Sequence, residues 1–499
     1  MPQRMTAIAN YFRRLRSRQV VRPWALAAPI VVLVIALPLL RPLRSPGDAS
    51  ENELSRLATI QSLVEHDGQA IDDTEFFAEL RRGANNRESS ASAPLATPRL
   101  ATGAVTGTIH VGKKYYSDKP PVMSYVLSWP YALMHRLGWD FHRNPYLVAY
   151  VLTMLGVTLP VAGAAGLIYR MGRMFELKRP YRAGLALAVA LGSGLLSYAT
   201  VLNPHAPAAA LILSACACLF HVTVARNPTA CGAWLMICGL CAALAAVVDL
   251  SAGIFLVLLA GVVLAFRWNW SMRLGGVLLY IIGATPPIVL HAALTVPITG
   301  DLRPGILHPE LAGFSQSAAV DINRDDLDDN VARTAPWKAA LFRTLDRTLG
   351  ALVGGKGLLS HYPIVIVGVL GLGLVLRRHW PASTKVMAAV TVVGAIAIMG
   401  AYIAPRVDWS QAMFGPRWFI VFLPLVLFWA GAWLRKPHHL ITWSVAGLLL
   451  AFSIAVSIIG AAAPFVHAAA GQYTVLAALH KITHGDAPPP RAMQVVDGR

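Results

Sequence analysis

The chain has 499 residues, of which 56% are hydrophobic and 14% charged, and its net charge is +18. Soluble domains carry about 25% charged residues, so a water-soluble globule is excluded. The basic residues sit mostly in short loops between apolar runs, which makes the charge a membrane-orientation signal and argues against nucleic acid as a partner.

Five arginines, Arg13, Arg14, Arg16, Arg18 and Arg22, precede an apolar run from Trp24 to Leu40. Arg41 and Arg44 follow it where a signal peptide would place small residues and a cleavage site, so the run reads as a retained anchor. Further candidate spans lie at 146–169, 183–202, 207–224, 231–248, 252–266, 275–297, 362–376, 386–404, 418–434 and 440–462. Together they predict an all-α polytopic membrane protein with about eleven transmembrane helices.

Alternate loops hold Arg170, Arg173, Lys178, Arg179 and Arg182, then Arg226, then Arg267 and Arg273, then Arg377, Arg378 and Lys385, then Arg435 and Lys436. The intervening short loops at 203–206 and 249–251 hold no Lys or Arg. This bias predicts a multi-pass protein of the plasma (inner) membrane with a cytoplasmic N-terminus. Residues 1–44 are then a cytoplasmic segment and the first span, and 45–145 a first extracytoplasmic loop. A helix bundle follows over 146–297, and 298–361 is a second extracytoplasmic loop. Residues 362–462 form the C-terminal spans and 463–499 an extracytoplasmic tail.

Residues 83–104, rich in Ala, Ser, Asn, Thr and Pro, predict a flexible insert in the first loop. An amphipathic stretch, Leu54 to Val64, and a polar-to-apolar stretch, Lys119 to Leu137, flank it. In the second loop Asp321, Asp325, Asp326, Asp328 and Asp329 form an acidic run without EF-hand spacing, which reads as a solvated loop. Cys216, Cys218, Cys231, Cys238 and Cys241 all lie in or beside apolar runs and read as packing residues. No internal repeat is apparent, which argues against inverted-repeat transporters.

Two segments of the first loop carry chemistry. In Gly112-Lys113-Lys114-Tyr115-Tyr116-Ser117-Asp118-Lys119-Pro120-Pro121 the prolines restrict the backbone beside Lys119, whose ammonium suits a phosphate. The competing reading is a snorkelling Lys at a helix start. In Glu51-Asn52-Glu53-Leu54-Ser55-Arg56-Leu57-Ala58-Thr59-Ile60, Glu53 and Arg56 share one face if the stretch is helical. Glu53 is a candidate general base, against ordinary capping of a helix N-terminus by acidic residues.

Together these segments resemble the GT-C superfamily of membrane glycosyltransferases, in the branch of protein O-mannosyltransferases and lipid A aminoarabinose transferases. That branch carries Asp-Glu-x-Arg-Tyr-Ala-x-Ile, then Gly, then Gly-x-x-Tyr-[Phe/Tyr]-x-x-Lys-Pro-Pro in its first outer loop. Glu53 to Ile60, Gly68, and Gly112 to Pro121 match these in turn. Tyr198-Ala199-Thr200-Val201-Leu202-Asn203-Pro204-His205 resembles the outer end where some members place a second Asp, and Phe414-Gly415-Pro416-Arg417-Trp418 the Gly-x-Arg-aromatic entry to a late span. Two positions depart: Glu53 stands for the family's catalytic Asp, and Asn203 for the second Asp.

The resemblance implies transfer of a sugar from a polyprenyl-phosphate donor to a lipid, glycan or protein acceptor on the extracytoplasmic face, with inversion. It makes Glu53 the base and Lys119 and Arg417 the phosphate contacts, with Arg56 either orienting Glu53 or binding phosphate. Tyr116, Asp118 and Asn203 join the substrate-binding set. Asp118 sits where some relatives hold a metal, which leaves a divalent ion open. His205 reads equally as a catalytic residue or a loop histidine. Asp249 reads as a solvated helix end and His291 as a packing residue. Trp409, Trp418, Trp429 and Trp433 suit an aromatic belt. The alternative is a transporter or flippase for a lipid-linked or polar substrate, whose mark would be charge at mid-span.

Overall fold

The computed structural model describes residues 23–40, 50–81, 105, 107–224, 227–265, 270–308, 310–311, 336–403, 413–466, 468 and 472–485. The insert at 83–104, the acidic run from Asp321, Trp409 and the N-terminal arginines to Arg22 lie outside the described residues.

The protein is a multi-pass helical membrane protein. Among the described residues six helices are long and apolar enough to cross a bilayer by length and composition, or seven if one bent pair is a single span. In chain order the elements are α1 (Pro23–Leu39), α2 (Glu51–Glu65), β1 (Thr108–Val111), β2 (Lys114–Ser117), α3 (Val122–Arg136), α4 (Pro145–Phe175), α5 (Arg179–Gly192), α6 (His205–Val224), α7 (Pro228–Val248), α8 (Gly253–Ala265) and α9 (Trp270–Thr299). Then come α10 (Pro336–Val353), α11 (Leu358–His361), α12 (Val365–Arg377), α13 (Ala382–Ile403), α14 (Leu423–Phe428), α15 (Ala430–Leu434), α16 (Leu440–Ala462) and α17 (Thr474–His484).

Each of the eleven expected spans contains helix, but among the described residues only six to seven reach crossing length, so the count of about eleven is not established. The expected span 183–202 stops at Gly192, because Gly194 turns the backbone to φ +81 and the chain runs irregularly to Pro204. The expected span 418–434 is broken into a short 3₁₀ turn, α14 and α15.

The all-α expectation gives way in the first loop, where β1 and β2 form an antiparallel hairpin. Its two-residue turn, Gly112-Lys113, has Gly112 at φ +65, which fits a type II′ turn. The sequence signal was present: Thr-Ile-His-Val and Lys-Tyr-Tyr-Ser are rich in β-branched and aromatic residues on either side of a glycine.

Small residues set the helix spacing within the bundle. A Cβ on Gly239 of α7 would lie 1.9 Å from the Tyr280 carbonyl oxygen of α9, and a Cβ on Gly283 of α9 would lie 1.9 Å from the Met236 carbonyl oxygen of α7. The two backbones touch there, as membrane helices do where apolar burial cannot drive association. Gly283→Leu is expected to separate α7 from α9 and cost about 1–3 kcal/mol or more. The readout is a lowered unfolding midpoint in detergent. Gly275→Ala, in open space on the same helix, serves as the control that loses nothing, and equal midpoints for the two variants would refute the packing account.

Candidate active site

The site begins with a polar helix that is almost wholly buried. Residues Glu53 to Ser62 of α2 are all buried, although Glu53, Ser55, Arg56, Thr59, Gln61 and Ser62 are polar. The sequence reading of Leu54 to Val64 as amphipathic therefore gives way to burial on every side. Buried polar groups need partners, and these partners assemble the site.

Ser50 caps α2 by accepting the Glu53 N–H at 3.3 Å. The spacing is that of a capping box, yet the Glu53 carboxylate turns inward, and its Oε1 accepts the Leu202 N–H at 2.9 Å. Leu202 lies in the irregular stretch after α5, where the backbone has no helical partner of its own. Burial pushes the Glu53 carboxyl up to about 7, against the opposing pull of the Leu202 hydrogen bond and the Arg56 charge.

Arg56 Nη1 donates to the Asn52 carbonyl at 2.9 Å, while its Nε is buried without a hydrogen-bond partner. Burial lowers Arg56 to about 10, opposed by the charges of Asp118, Asp249 and Glu53, and the Arg417 charge adds to the lowering. It stays cationic at neutral pH.

The hairpin delivers Lys119. Ile71 N–H donates to the Tyr115 carbonyl at 2.9 Å, and the Tyr115 N–H reaches the Asp72 carboxylate at 3.0 and 3.2 Å. The end of β2 is pinned to α2 through Ser55, whose hydroxyl bonds the Gly107 carbonyl at 2.8 Å and the Ser117 hydroxyl at 2.5 Å. Lys119 Nζ then pairs with Asp118 Oδ2 at 2.8 Å, both side chains being about nine-tenths covered. Burial lowers the Lys119 ammonium, Asp118 opposes this, and Arg56 and Arg417 push it further down. The segment after α9 closes on the same point: Ile306 N–H donates to the Asp118 carbonyl at 2.7 Å, beside a Gly305 whose Cβ would meet Asp118 Cα at 2.9 Å. Tyr116, Ser117 and Lys119 line a small, half-open cleft whose far wall is Leu294, Thr295 and Ile298 of α9; Glu53, His205 and Arg417 are not among its lining residues.

On the bundle side, Asn203 spends its side chain on the turn. Its Nδ2 donates to the Tyr198 and Val201 carbonyls at 2.6 and 2.9 Å, and its Oδ1 accepts the Ala206 N–H at 3.0 Å. These bonds start α6 at His205. His205 Nδ1 lies 2.5 Å from Asp249 Oδ2. Asp249 is 5% exposed, and its Oδ1 accepts from Ser251 N–H and Oγ–H at 3.0 and 2.7 Å. Burial works to raise the Asp249 carboxyl, but His205 and Ser251 outweigh it and hold the group below its usual value. An ionised carboxylate only accepts, so Nδ1 carries the hydrogen and Nε2 is the nitrogen His205 offers the site.

Arg417 opens a 3₁₀ turn after Pro416, is 8% exposed, and stacks its guanidinium 4.7 Å over the Trp418 ring. The preceding Gly415 N–H donates to Thr474 Oγ1 at 3.1 Å, and that hydroxyl also meets His361 Nε2 at 2.7 Å. Burial pushes His361 down to about 4, so it is neutral.

Arg56 is thus the hub, within electrostatic reach of Glu53, Asp118, Asp249 and Arg417, while Lys119 is within reach of Asp118, Arg56 and Arg417. Asp249 corrects the sequence reading: it is a buried partner of His205, not a solvated helix end. An ionisable residue beside a span and facing Asn-Pro-His was the available signal. His291 bonds the Leu302 carbonyl at 2.9 Å, joining α9 to the segment after it. Among the described residues no three His, Cys, Asp or Glu side chains are grouped to hold a metal ion. Asp118 is paired with Lys119 and Asp249 with His205, so no step is derived through a metal.

No protein-family model matches the chain, and no curated protein matches it. In three dimensions it resembles the oligosaccharyltransferase of Archaeoglobus fulgidus in its apo form, with a TM-score of 0.52 and 10% identity over 90% of this chain and 57% of that one. The same enzyme in complex with zinc and sulfate gives a TM-score of 0.50 at 10% identity, over 88% of this chain and 53% of that one. The likeness is one of fold alone. The chain spans a little over half the length of the oligosaccharyltransferase.

Because the folded Glu53 carboxyl titrates near 7 and its ordinary value is 4.5, the protonated form is favoured in the folded state. Its stabilisation is fully present below pH 4.5 and is lost as pH rises to about 7. Glu53→Gln removes this dependence while keeping an oxygen for the Leu202 N–H. Thermal midpoints across that window are expected to fall more steeply for wild type, by on the order of 3 kcal/mol. Parallel curves would mean that Glu53 titrates normally.

Proposed function

We propose that the protein is a membrane glycosyltransferase that moves a hexosyl or pentosyl group from a polyprenyl-phosphate donor to a hydroxyl acceptor on the extracytoplasmic face, with inversion. The observation that carries this reading is a buried carboxyl poised near neutrality, Glu53, next to the Arg56 charge, with Lys119 and Arg417 in turn within reach of Arg56. A base with a pKa near the working pH is suited to general catalysis, and the cations suit an anionic leaving group. The fold supports the same class. The contributing groups come from the outer segments and the ends of spans, where a transferase needs them, and not from mid-span as a transporter or flippase would require.

In this mechanism one Glu53 oxygen is held by the Leu202 N–H and the other takes the proton of the acceptor hydroxyl. The acceptor oxygen forms the new bond at the anomeric carbon, the bond from that carbon to the phosphate oxygen breaks, and the electron pair leaves with the lipid phosphate. A single displacement inverts the centre. The charge that develops on the phosphate is met by Lys119, Arg56 and Arg417, cations already oriented and partly dry. Asp118 holds Lys119 in place. His205, oriented by Asp249, offers Nε2 to an acceptor or sugar hydroxyl. Asn203 acts through the turn it builds, since its amide is fully engaged by backbone. Tyr116 and the cleft beside α9 lie where the donor's first isoprene units would leave the phosphate.

The decisive assay is purified protein with a panel of polyprenyl-phosphate sugars, read by released lipid phosphate. Glu53→Gln is expected to lower turnover about 10²–10⁴-fold with donor affinity nearly unchanged. Glu53→Asp should retain part of the activity, and Glu51→Gln most of it. A Glu53→Gln protein that turns over like wild type would rule out this base and make His205 the next to test.

Lys119→Ala is expected to weaken donor binding and turnover together, at a cost on the order of 2.7–4 kcal/mol in the transition state. Full activity in a well-folded variant would remove Lys119 from the phosphate site.

A further inference from the structure

Two helices in the segments that sequence reading places outside the membrane carry their apolar residues on the exposed side. In α10, Leu341, Phe342, Leu345, Leu349 and Val353 are between 48% and 60% exposed. Four of these, Phe342, Leu345, Leu349 and Val353, project within roughly 80° of one another at 3.6 residues per turn. The opposite side, facing the protein, holds buried Ala351 and half-buried Arg347 and Thr348. A helix on a water-facing surface does the reverse, burying its apolar stripe.

The same inversion recurs in α17, where Leu476, Leu479 and Ile482 are 58%, 38% and 45% exposed while Thr474, Ala477 and Ala478 are buried. The two helices meet end to end. Thr474 N–H donates to the Gly355 carbonyl at 3.0 Å, and a Cβ on Gly355 would lie 2.3 Å from the Gln472 carbonyl oxygen.

Their attitude to the bilayer follows from α12. The helical run Thr344–His361 is bent by 95° against Val365–Arg377. Where α12 follows the membrane normal, the C-terminal half of α10 therefore lies along the surface. The side of the membrane follows from Thr474, which holds the Gly415 N–H two residues before Arg417.

We propose that α10 and α17 form one platform seated in the headgroup–acyl boundary of the leaflet on the site's side, with phospholipid acyl chains as the occupant of its apolar face. The partner is chosen by chemistry and attitude: the exposed face is aliphatic and aromatic, and the C-terminal half of α10 lies across the direction of α12. Interfacial helices bury such a face about 5–10 Å into the boundary. The platform is joined to the site through one hydroxyl, Thr474, so lipid seating holds the turn that presents Arg417. The inference stands on the fold and not on the transfer reaction.

The test uses full-length protein in phosphatidylcholine liposomes. Leu345→Cys, Leu349→Cys and Leu476→Cys, each introduced alone beside the native cysteines, are labelled with bimane. Identically labelled wild type supplies the background of the five native cysteines, and Arg143→Cys, at a side chain 73% exposed in the first loop, is the water-facing control. Quenching by lipid spin-labelled at carbon 5 is expected to be several-fold stronger at the three sites than at position 143. It should exceed quenching by carbon-12 lipid, and iodide should reach the three sites several-fold less well than position 143. Iodide access equal to that of position 143 would overturn the proposal by placing the face in water. Protection from both quenchers would overturn it in favour of a second copy or another protein segment. Stronger quenching from carbon 12 would overturn it by placing the helices in the core.

Discussion

The hydrogen bond from the Leu202 amide to the Glu53 carboxylate is the contact on which the site depends. It joins two elements that are each costly alone. A carboxyl-bearing polar helix, α2, is buried, and an irregular stretch of backbone between α5 and α6 needs acceptors that lipid cannot give. Each supplies what the other lacks. The loop before α6 is further held by Asn203, by Thr158 on the Ala199 carbonyl at 2.8 Å, and by Thr200 on the Ala461 carbonyl at 2.9 Å. Polar side chains thus take over the bonds that a continuous helix would have made.

A second constraint is charge. Arg56, Lys119 and Arg417 are opposed by Asp118, Asp249 and Glu53, and all six are largely shielded from bulk water. Isolated buried charges are expensive, and removing one partner of a pair costs more than the pair contributes. The alternation of signs keeps the empty site tolerable. Asp118 is adjacent in sequence to the Lys119 it neutralises, so the ammonium is compensated without a rigid partner from elsewhere. An anion entering the cleft would meet Lys119, already largely desolvated, where a hydrogen bond is worth more than it is in water.

The fold is shared with the archaeal oligosaccharyltransferase at 10% identity. The physics accounts for such divergence. Packing of apolar helices constrains volume and close approach, as at Gly239 and Gly283, more than it constrains residue identity. The polar groups of the candidate site come from few positions, in α2 and in segments pinned onto the bundle.

The sequence by itself determined the class: long apolar runs, few charges and alternating basic loops admit only a helical membrane protein, because lipid forces each span to satisfy its own backbone. It also marked Glu53, Arg56, Lys119 and Arg417, since local motifs record which side chains a short segment carries. It did not reveal where apolar runs break. The end of α5 at Gly192 and the divided run 417–434 depend on which backbone groups find acceptors across the fold. Only the tertiary structure decided that Asp249 pairs with His205, 44 residues away in sequence, and that Asn203 serves the turn. It alone showed that α2 is buried on all sides and that α10 turns its leucines outward. Periodicity reports which residues share a face, but what that face meets is set by non-local packing.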